Sequence, residues 1–69
     1  MPEYFASLAR SYNSLGAALE ALGKTDLTIE NLNKAIGIRE KLVKDHPYAP
    51  DYAYELSRSY TSLGLTYGN

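Results

Sequence analysis

The sequence predicts an all-α fold: an antiparallel helical hairpin followed by a third helix, arranged as in an α-solenoid. Three observations predict it: an internal repeat, apolar residues spaced three and four apart in each segment, and turn-forming residues between the segments. No segment shows the strict polar–apolar alternation of a strand. Because 69 residues suffice for only one small domain, we expect a single unit over residues 1–69.

The internal repeat has a period of 48 residues. Residues 8–16 read LARSYNSLG and residues 56–64 read LSRSYTSLG, so seven of nine positions are identical. Pro2 and Tyr4 match Pro50 and Tyr52 at the same offset. The chain therefore contains one complete repeat and the first helix of a second.

The first helix is predicted over residues 3–22. A stripe of large apolar residues at helical spacing predicts its core face: Tyr4, Leu8, Tyr12, Leu15, Leu19 and Leu22. Gly23 follows the stripe, and we expect it to end the helix in the left-handed conformation.

The second helix is predicted over residues 26–45, with Thr25 or Asp26 as its N-cap. Its core stripe comprises Ile29, Leu32, Ala35, Ile36 and Val43, with Leu42 alongside. Pro47 and Pro50 interrupt the chain, and a third helix follows over residues 51–67. The stripe of the third helix comprises Tyr52, Leu56, Tyr60, Leu63 and Tyr67. Tyr48 and Tyr54 lie off this stripe, and we expect them to pack on the connecting turn.

Residues 12–19, Y-x2-L-G-x2-L, resemble the tetratricopeptide repeat motif W-x2-L-G-x2-Y, and residues 28–32 fall where its A-x3-F belongs. Residues 60–67, Y-x2-L-G-x2-Y, keep both aromatic positions. The family repeat has 34 residues, whereas this one has 48, an excess of 14 that resembles a long-helix variant. The resemblance implies that the first helix of each repeat lines a concave groove that binds peptide segments.

The groove positions implied by the resemblance point away from the predicted core. The candidate peptide-binding residues are Arg10, Asn13 and Ala17 in the first copy and Arg58, Thr61 and Leu65 in the second. Arginines at the repeat period can form a ladder that holds a carboxylate or a backbone carbonyl. The alternative is a solvated face that binds no ligand.

The third helix carries the candidate self-association residues: Leu56, Tyr60, Leu63 and Tyr67. Helical repeats bury their apolar faces only against neighbours. We therefore expect a homo-oligomer, a symmetric dimer by default, or helix swapping across residues 45–50. The abrupt start and stop within the repeat also suggest an excised or engineered fragment of a longer array.

The amino-acid composition argues against nucleic-acid binding, catalysis, metal binding and membrane insertion. The net charge is −1, with seven basic and eight acidic residues spread along the chain, which argues against nucleic-acid binding. With no cysteine, one histidine and no glycine-rich phosphate loop, we predict no catalytic residues, no metal site and no cofactor. The apolar runs are too short to span a membrane.

The predicted function is therefore a cytoplasmic protein-interaction or scaffold module that binds a protein or peptide. The alternative is a self-assembling structural fragment with no ligand. A regulatory fragment of an enzyme is a third alternative.

Overall fold

The computed structural model describes residues 2–68, and three α-helices contain most of them. Helix α1 spans Pro2–Ala21, α2 spans Thr25–Asp45 and α3 spans Pro50–Gly68. No strand occurs within this range. Helices α1 and α2 form a hairpin, and α3 packs on α2 while meeting α1 only along a narrow seam. The predicted all-α fold is confirmed, and each helix end lies within one residue of its predicted position.

The turn between α1 and α2 is set by Gly23, whose φ of 76° lies in the left-handed region. Its amide donates to the carbonyl oxygen of Glu20 at 2.9 Å, and the amide of Lys24 donates to that of Leu19 at 2.9 Å. This pair of bonds is the Schellman motif, which satisfies the last carbonyl groups of a helix. The predicted role of Gly23 is confirmed.

Helix α2 begins without a side-chain cap, so the predicted capping by Thr25 or Asp26 is wrong. The N-cap residue is Lys24, and no side chain bonds to the free amides there. The Oγ1 hydroxyl of Thr28 donates to the Lys24 carbonyl oxygen at 3.0 Å, and this bond satisfies none of the free amides. Because Gly23 already ends α1, the chain enters α2 one residue earlier than the capping pattern indicates.

The connection between α2 and α3 is short and exposed. The amide of His46 donates to the Leu42 carbonyl oxygen at 2.9 Å, and the His46 ring lies 5.6 Å from the ring of Tyr52. Tyr48 is 97% exposed and Tyr54 is also exposed, so the prediction that both pack on this turn is wrong. Tyr52 occupies the place beside His46 instead.

Helix α2 is the central helix of the fold. The buried apolar residues are Ala9, Leu32, Ala35, Ile36 and Leu42, and all but Ala9 belong to α2. Its predicted stripe is confirmed at these four positions, while Ile29 and Val43 are half-buried. Because α2 is covered from two sides, its apolar residues are the ones most fully removed from water.

The predicted stripe of α1 is only partly correct, because Tyr4, Leu15 and Leu22 are exposed. The buried residues of α1 are Ala9 and Gly16. They lie seven residues apart, two helical turns, so the α1 backbone approaches α2 through small residues. The larger residues of the stripe flank this contact and do not fill it.

The face that α3 turns to α2 is rotated by about one residue from the predicted stripe. Ser59 and Thr66 are buried, whereas their neighbours Tyr60 and Tyr67 are exposed. Burial of hydroxyl groups requires hydrogen-bond partners, and both have them. The partners lie on α1 and α2, and they define the candidate site.

Candidate functional site

Arg39 lies in the C-terminal half of α2 with its side chain buried against α3. Its Nη1 donates to the backbone carbonyl oxygen of Glu55 at 3.1 Å and to the hydroxyl of Ser59. Its Nη2 donates to the Glu55 carboxylate oxygen Oε2 at 3.1 Å. A buried guanidinium is tolerated when its donors are satisfied in this way, so Arg39 fixes the position of α3 on α2.

The electrostatic environment of Arg39 involves all three helices. Burial lowers the pKa of the Arg39 guanidinium, the nearby Glu55 carboxylate opposes this effect, and repulsion from Arg58 and Arg10 adds to it. Arginine nevertheless keeps its charge in proteins. Three guanidinium groups, one from each helix, therefore act on the same part of the molecule.

Two side-chain hydrogen bonds cross the seam between α1 and α3. The hydroxyl of Ser59 donates to Asn13 Oδ1 at 3.3 Å, and the hydroxyl of Thr66 donates to Glu20 Oε2 at 2.8 Å. Ser59 thus accepts from Arg39 and donates to Asn13, which joins the three helices in one polar network. These bonds hold α1 and α3 side by side although few other groups of the two helices touch.

A cleft of about 410 Å³ opens between the N-terminal halves of α1 and α3. Its lining residues are Ala6 and Arg10 of α1, Arg39 and Leu42 of α2, and Asp51, Tyr52, Tyr54 and Glu55 of α3. The buried residues Arg39 and Leu42 form its base. Beyond the Asn13–Ser59 bond, the seam narrows to a space of about 40 Å³.

The cleft combines a cation with apolar and aromatic surface. Arg10 is exposed and forms no ion pair within residues 2–68, whereas Arg39 and Glu55 already satisfy each other. Leu42, Tyr52 and Tyr54 supply surface for an apolar group. Such a site can hold a carboxylate at Arg10 beside an apolar or aromatic side chain.

The predicted peptide-binding residues divide into two groups. Arg10 lines the cleft, while Asn13 and Ala17 line the narrow part of the seam. The other three are exposed and line neither space: Arg58, Thr61 and Leu65. They are the repeat equivalents on α3 of Arg10, Asn13 and Ala17 on α1. The side of α1 that meets α3 therefore corresponds to the side of α3 that points away from α1.

The candidate self-association residues also divide. Leu56 and Leu63 are half-buried, whereas Tyr60 and Tyr67 are 47% and 65% exposed. The Tyr60 hydroxyl donates to Glu40 Oε2 at 2.6 Å, and this bond raises the Tyr60 pKa. Of the four candidate self-association residues, the two that are exposed are therefore the two tyrosines.

Sequence reasoning did not find Arg39, Glu55 and Ser59 as a network. One usable signal is the exact recurrence of serine at Ser11 and Ser59, which keeps a small hydroxyl residue in the middle of an amphipathic helix. A second signal is an arginine between the apolar residues Ile36 and Val43 of the α2 stripe. Neither signal identifies the distant partner.

A second, more apolar groove of about 290 Å³ lies where the start of α1 meets the end of α2, and Phe5, Gly37 and Ile38 contribute to its lining. Within residues 2–68, no three histidine, cysteine or acidic side chains come together as metal ligands would. None of the three helices, over the part of the chain that the structure describes, is sufficiently long and apolar to traverse a bilayer.

Comparisons of the chain with protein-family models, with characterised protein sequences and with solved structures give no match.

Proposed function

We propose that this chain is a protein-interaction module of the tetratricopeptide type that binds a peptide segment in the cleft between α1 and α3. The observation that carries the proposal is Arg10, a cation that forms no ion pair within residues 2–68 and lies at a cleft whose other guanidinium, Arg39, is already satisfied. An unpaired arginine beside apolar surface is available for a ligand carboxylate. The absence of cysteine suits a cytoplasmic module.

The close approach of α1 and α2 supports the family assignment. A Cβ atom built at Gly16 would lie 3.0 Å from Leu32 Cδ2 and 3.4 Å from the Thr28 carbonyl oxygen. The glycine of the repeat motif is therefore at the helix crossing, where a side chain would interfere with packing.

The lining of the cleft favours a short peptide with a defined order of side chains. Arg10 selects a carboxylate, and Leu42 with the two tyrosines accepts an apolar or aromatic group. Asp51 on the opposite wall repels a second carboxylate and favours a hydrogen-bond donor or a cation. The volume of about 410 Å³ lies within the range of ligand-binding clefts.

The test selects binders from a library of random dodecapeptides and then titrates the enriched peptides by fluorescence anisotropy against three proteins. These are the unchanged chain, Arg10→Ala and the matched control Arg58→Ala. We expect Arg10→Ala to weaken binding about tenfold or more, because a charge-assisted hydrogen bond is lost. Arg58→Ala removes the same group outside the cleft and should change affinity less than about twofold. Equal effects of the two substitutions, or no enriched peptide, would contradict the proposal.

A further inference from the structure

The two copies of the repeated motif lie in different surroundings. On α1, the face formed by Ala9, Tyr12, Gly16 and Leu19 is half-buried or fully buried under α2. The equivalent residues of α3 are all exposed, and we call them the Gly64 face: Ser57, Tyr60, Gly64 and Tyr67. Among residues 2–68, a Cβ atom built at Gly64 meets no atom beyond its own helical turn within 4 Å, whereas one built at Gly16 meets Leu32 at 3.0 Å. The same motif is therefore covered once and uncovered once.

The covered copy shows which chemistry fits such a face. At Gly16 the neighbours are the Leu32 side chain and the Thr28 carbonyl oxygen. Above Tyr12, the Lys34 Nζ atom lies 5.5 Å from the ring centroid, within range of a cation–π contact. The helix that covers the motif is antiparallel to it and contributes three residues: Thr28, Leu32 four positions later and Lys34 two positions after that. A helix that fits an equivalent face therefore needs a small residue, a leucine and a lysine at this spacing.

We propose that the Gly64 face binds an amphipathic helix of a partner protein that carries this contact pattern of α2. Tyr60 retains the ring that Tyr12 offers to Lys34, and the Glu40 carboxylate bonded to its hydroxyl adds a negative charge beside it. A basic residue of the incoming helix is therefore favoured at Tyr60 more strongly than at Tyr12. Gly64 leaves room for the partner leucine. This interaction is separate from peptide binding in the α1–α3 cleft.

A separate helix fits this face better than a second copy of the chain does. A second copy can offer its own α2 to the Gly64 face only by releasing its α1, because α1 covers the matching surface. Such an exchange would cover the Gly64 face of one copy and expose the motif face of α1 in the other copy. The number of covered motif faces would therefore stay the same. A free helix adds an interface without removing one, and its burial of Tyr60 and Tyr67 is a net gain.

The experiment uses the whole chain and a fluorescein-labelled synthetic peptide with the sequence of residues 24–46, which contains all of α2. Binding is measured by fluorescence anisotropy, and the mass of the chain alone is measured by sedimentation velocity. The test variant is Gly64→Leu, whose side chain would occupy the space meant for the partner leucine. The matched control is Gly37→Leu, since Gly37 is also helical and exposed, and a Cβ atom built there meets nothing in residues 2–68 beyond its own helical turn within 4 Å. A second control is the peptide with Leu32→Glu.

We expect saturable binding that Gly64→Leu weakens about tenfold or more through steric overlap, while Gly37→Leu changes it less than about twofold. The Leu32→Glu peptide should not bind. Absence of binding to the unchanged chain overturns the proposal. So does binding that Gly64→Leu leaves intact, because the peptide would then occupy another face or exchange with α2. A chain that is dimeric and becomes monomeric in Gly64→Leu also overturns it, since the occupant would then be a second copy.

Discussion

Arg39 and Glu55 contact each other through two pairs of atoms: Nη1 with the backbone carbonyl oxygen and Nη2 with the carboxylate, both at 3.1 Å. The contact with the backbone carbonyl oxygen fixes the position of α3 along the axis of α2. The contact with the carboxylate fixes the rotation of α3 about its own axis. Ser59, one turn further along α3, bonds to the same guanidinium and passes the constraint on to Asn13 of α1. The alignment of the cleft walls therefore depends on one side chain of the central helix.

Replacement of Arg39 by leucine should destabilise the fold although leucine is apolar and of suitable size. The change removes three hydrogen bonds from a charged donor and leaves Ser59 with one partner fewer. We expect the free energy of unfolding to fall by about 2 kcal/mol. Urea denaturation followed by circular dichroism measures it. A leucine variant as stable as the unchanged chain would show that the network does not position α3.

Glu55→Gln should have a smaller effect than Arg39→Leu. The Glu55 side chain is 33% exposed, so water screens its charge, and glutamine still accepts a hydrogen bond. We expect a loss of about 1 kcal/mol or less in unfolding free energy, with Glu30→Gln as an exposed control that changes nothing. In the double variant the two losses should not add, because the residues share one interaction. Strictly additive losses would argue against direct coupling.

The helical glycines should respond oppositely to alanine. At Gly37 and Gly64, an added Cβ meets no atom of the described chain beyond its own helical turn within 4 Å, so alanine should raise the unfolding free energy by up to about 1 kcal/mol through helix propensity. At Gly16 the Cβ would press on buried Leu32 at 3.0 Å, and overpacking costs about 1–3 kcal/mol. We therefore expect Gly16→Ala to be less stable than Gly64→Ala by about 1 kcal/mol or more in urea denaturation. Equal stabilisation by both would refute the close crossing of α1 and α2.

Gly23 tests the turn between α1 and α2. Its φ of 76° is disfavoured for residues with a Cβ atom, so Gly23→Ala should lower the unfolding free energy by about 1 kcal/mol. Asparagine tolerates this conformation better, and Gly23→Asn should lose less. Thermal denaturation of the two variants ranks them. An alanine variant as stable as the unchanged chain would be inconsistent with the Schellman motif centred on Gly23.

The helices were predictable because their signals are local. Spacing of apolar residues, Gly23 and the two prolines define the three helices within one residue. The repeat predicts that α1 and α3 are equivalent helices, and both are helical over the repeated motif. The spacing of apolar residues could not distinguish the side of α1 that packs against α2 from the neighbouring side that stays exposed. Tyr4 and Leu15 belong to the stripe but lie on a side of α1 that α2 does not cover.

The polar network and the cleft were not predictable from one sequence. Arg39, Ser59 and Thr66 are buried because each finds a partner on another helix, 16 to 46 residues away. A hydropathy pattern assigns such residues to the surface, since it contains no information about distant partners. Arg10 was a candidate because the family resemblance implies a groove face, whereas Tyr54 and Glu55, which line the cleft with it, had no local signal.

The hydrogen bond from Tyr60 to Glu40 should appear in the titration of the tyrosine. The hydroxyl donates to a carboxylate oxygen at 2.6 Å, and a phenolate there would lose this bond and face a negative charge, so the Tyr60 pKa lies above its ordinary value near 10.0. Because this pKa is raised in the folded state, the bond is fully present at neutral pH and is lost as the pH rises through the folded-state pKa. Ultraviolet titration of the chain, with Tyr60→Phe subtracted, isolates this group from the other tyrosines. Glu40→Gln should bring the Tyr60 pKa down, and Glu30→Gln should not; a Tyr60 pKa that is the same in all three proteins would mean that the bond does not form in solution.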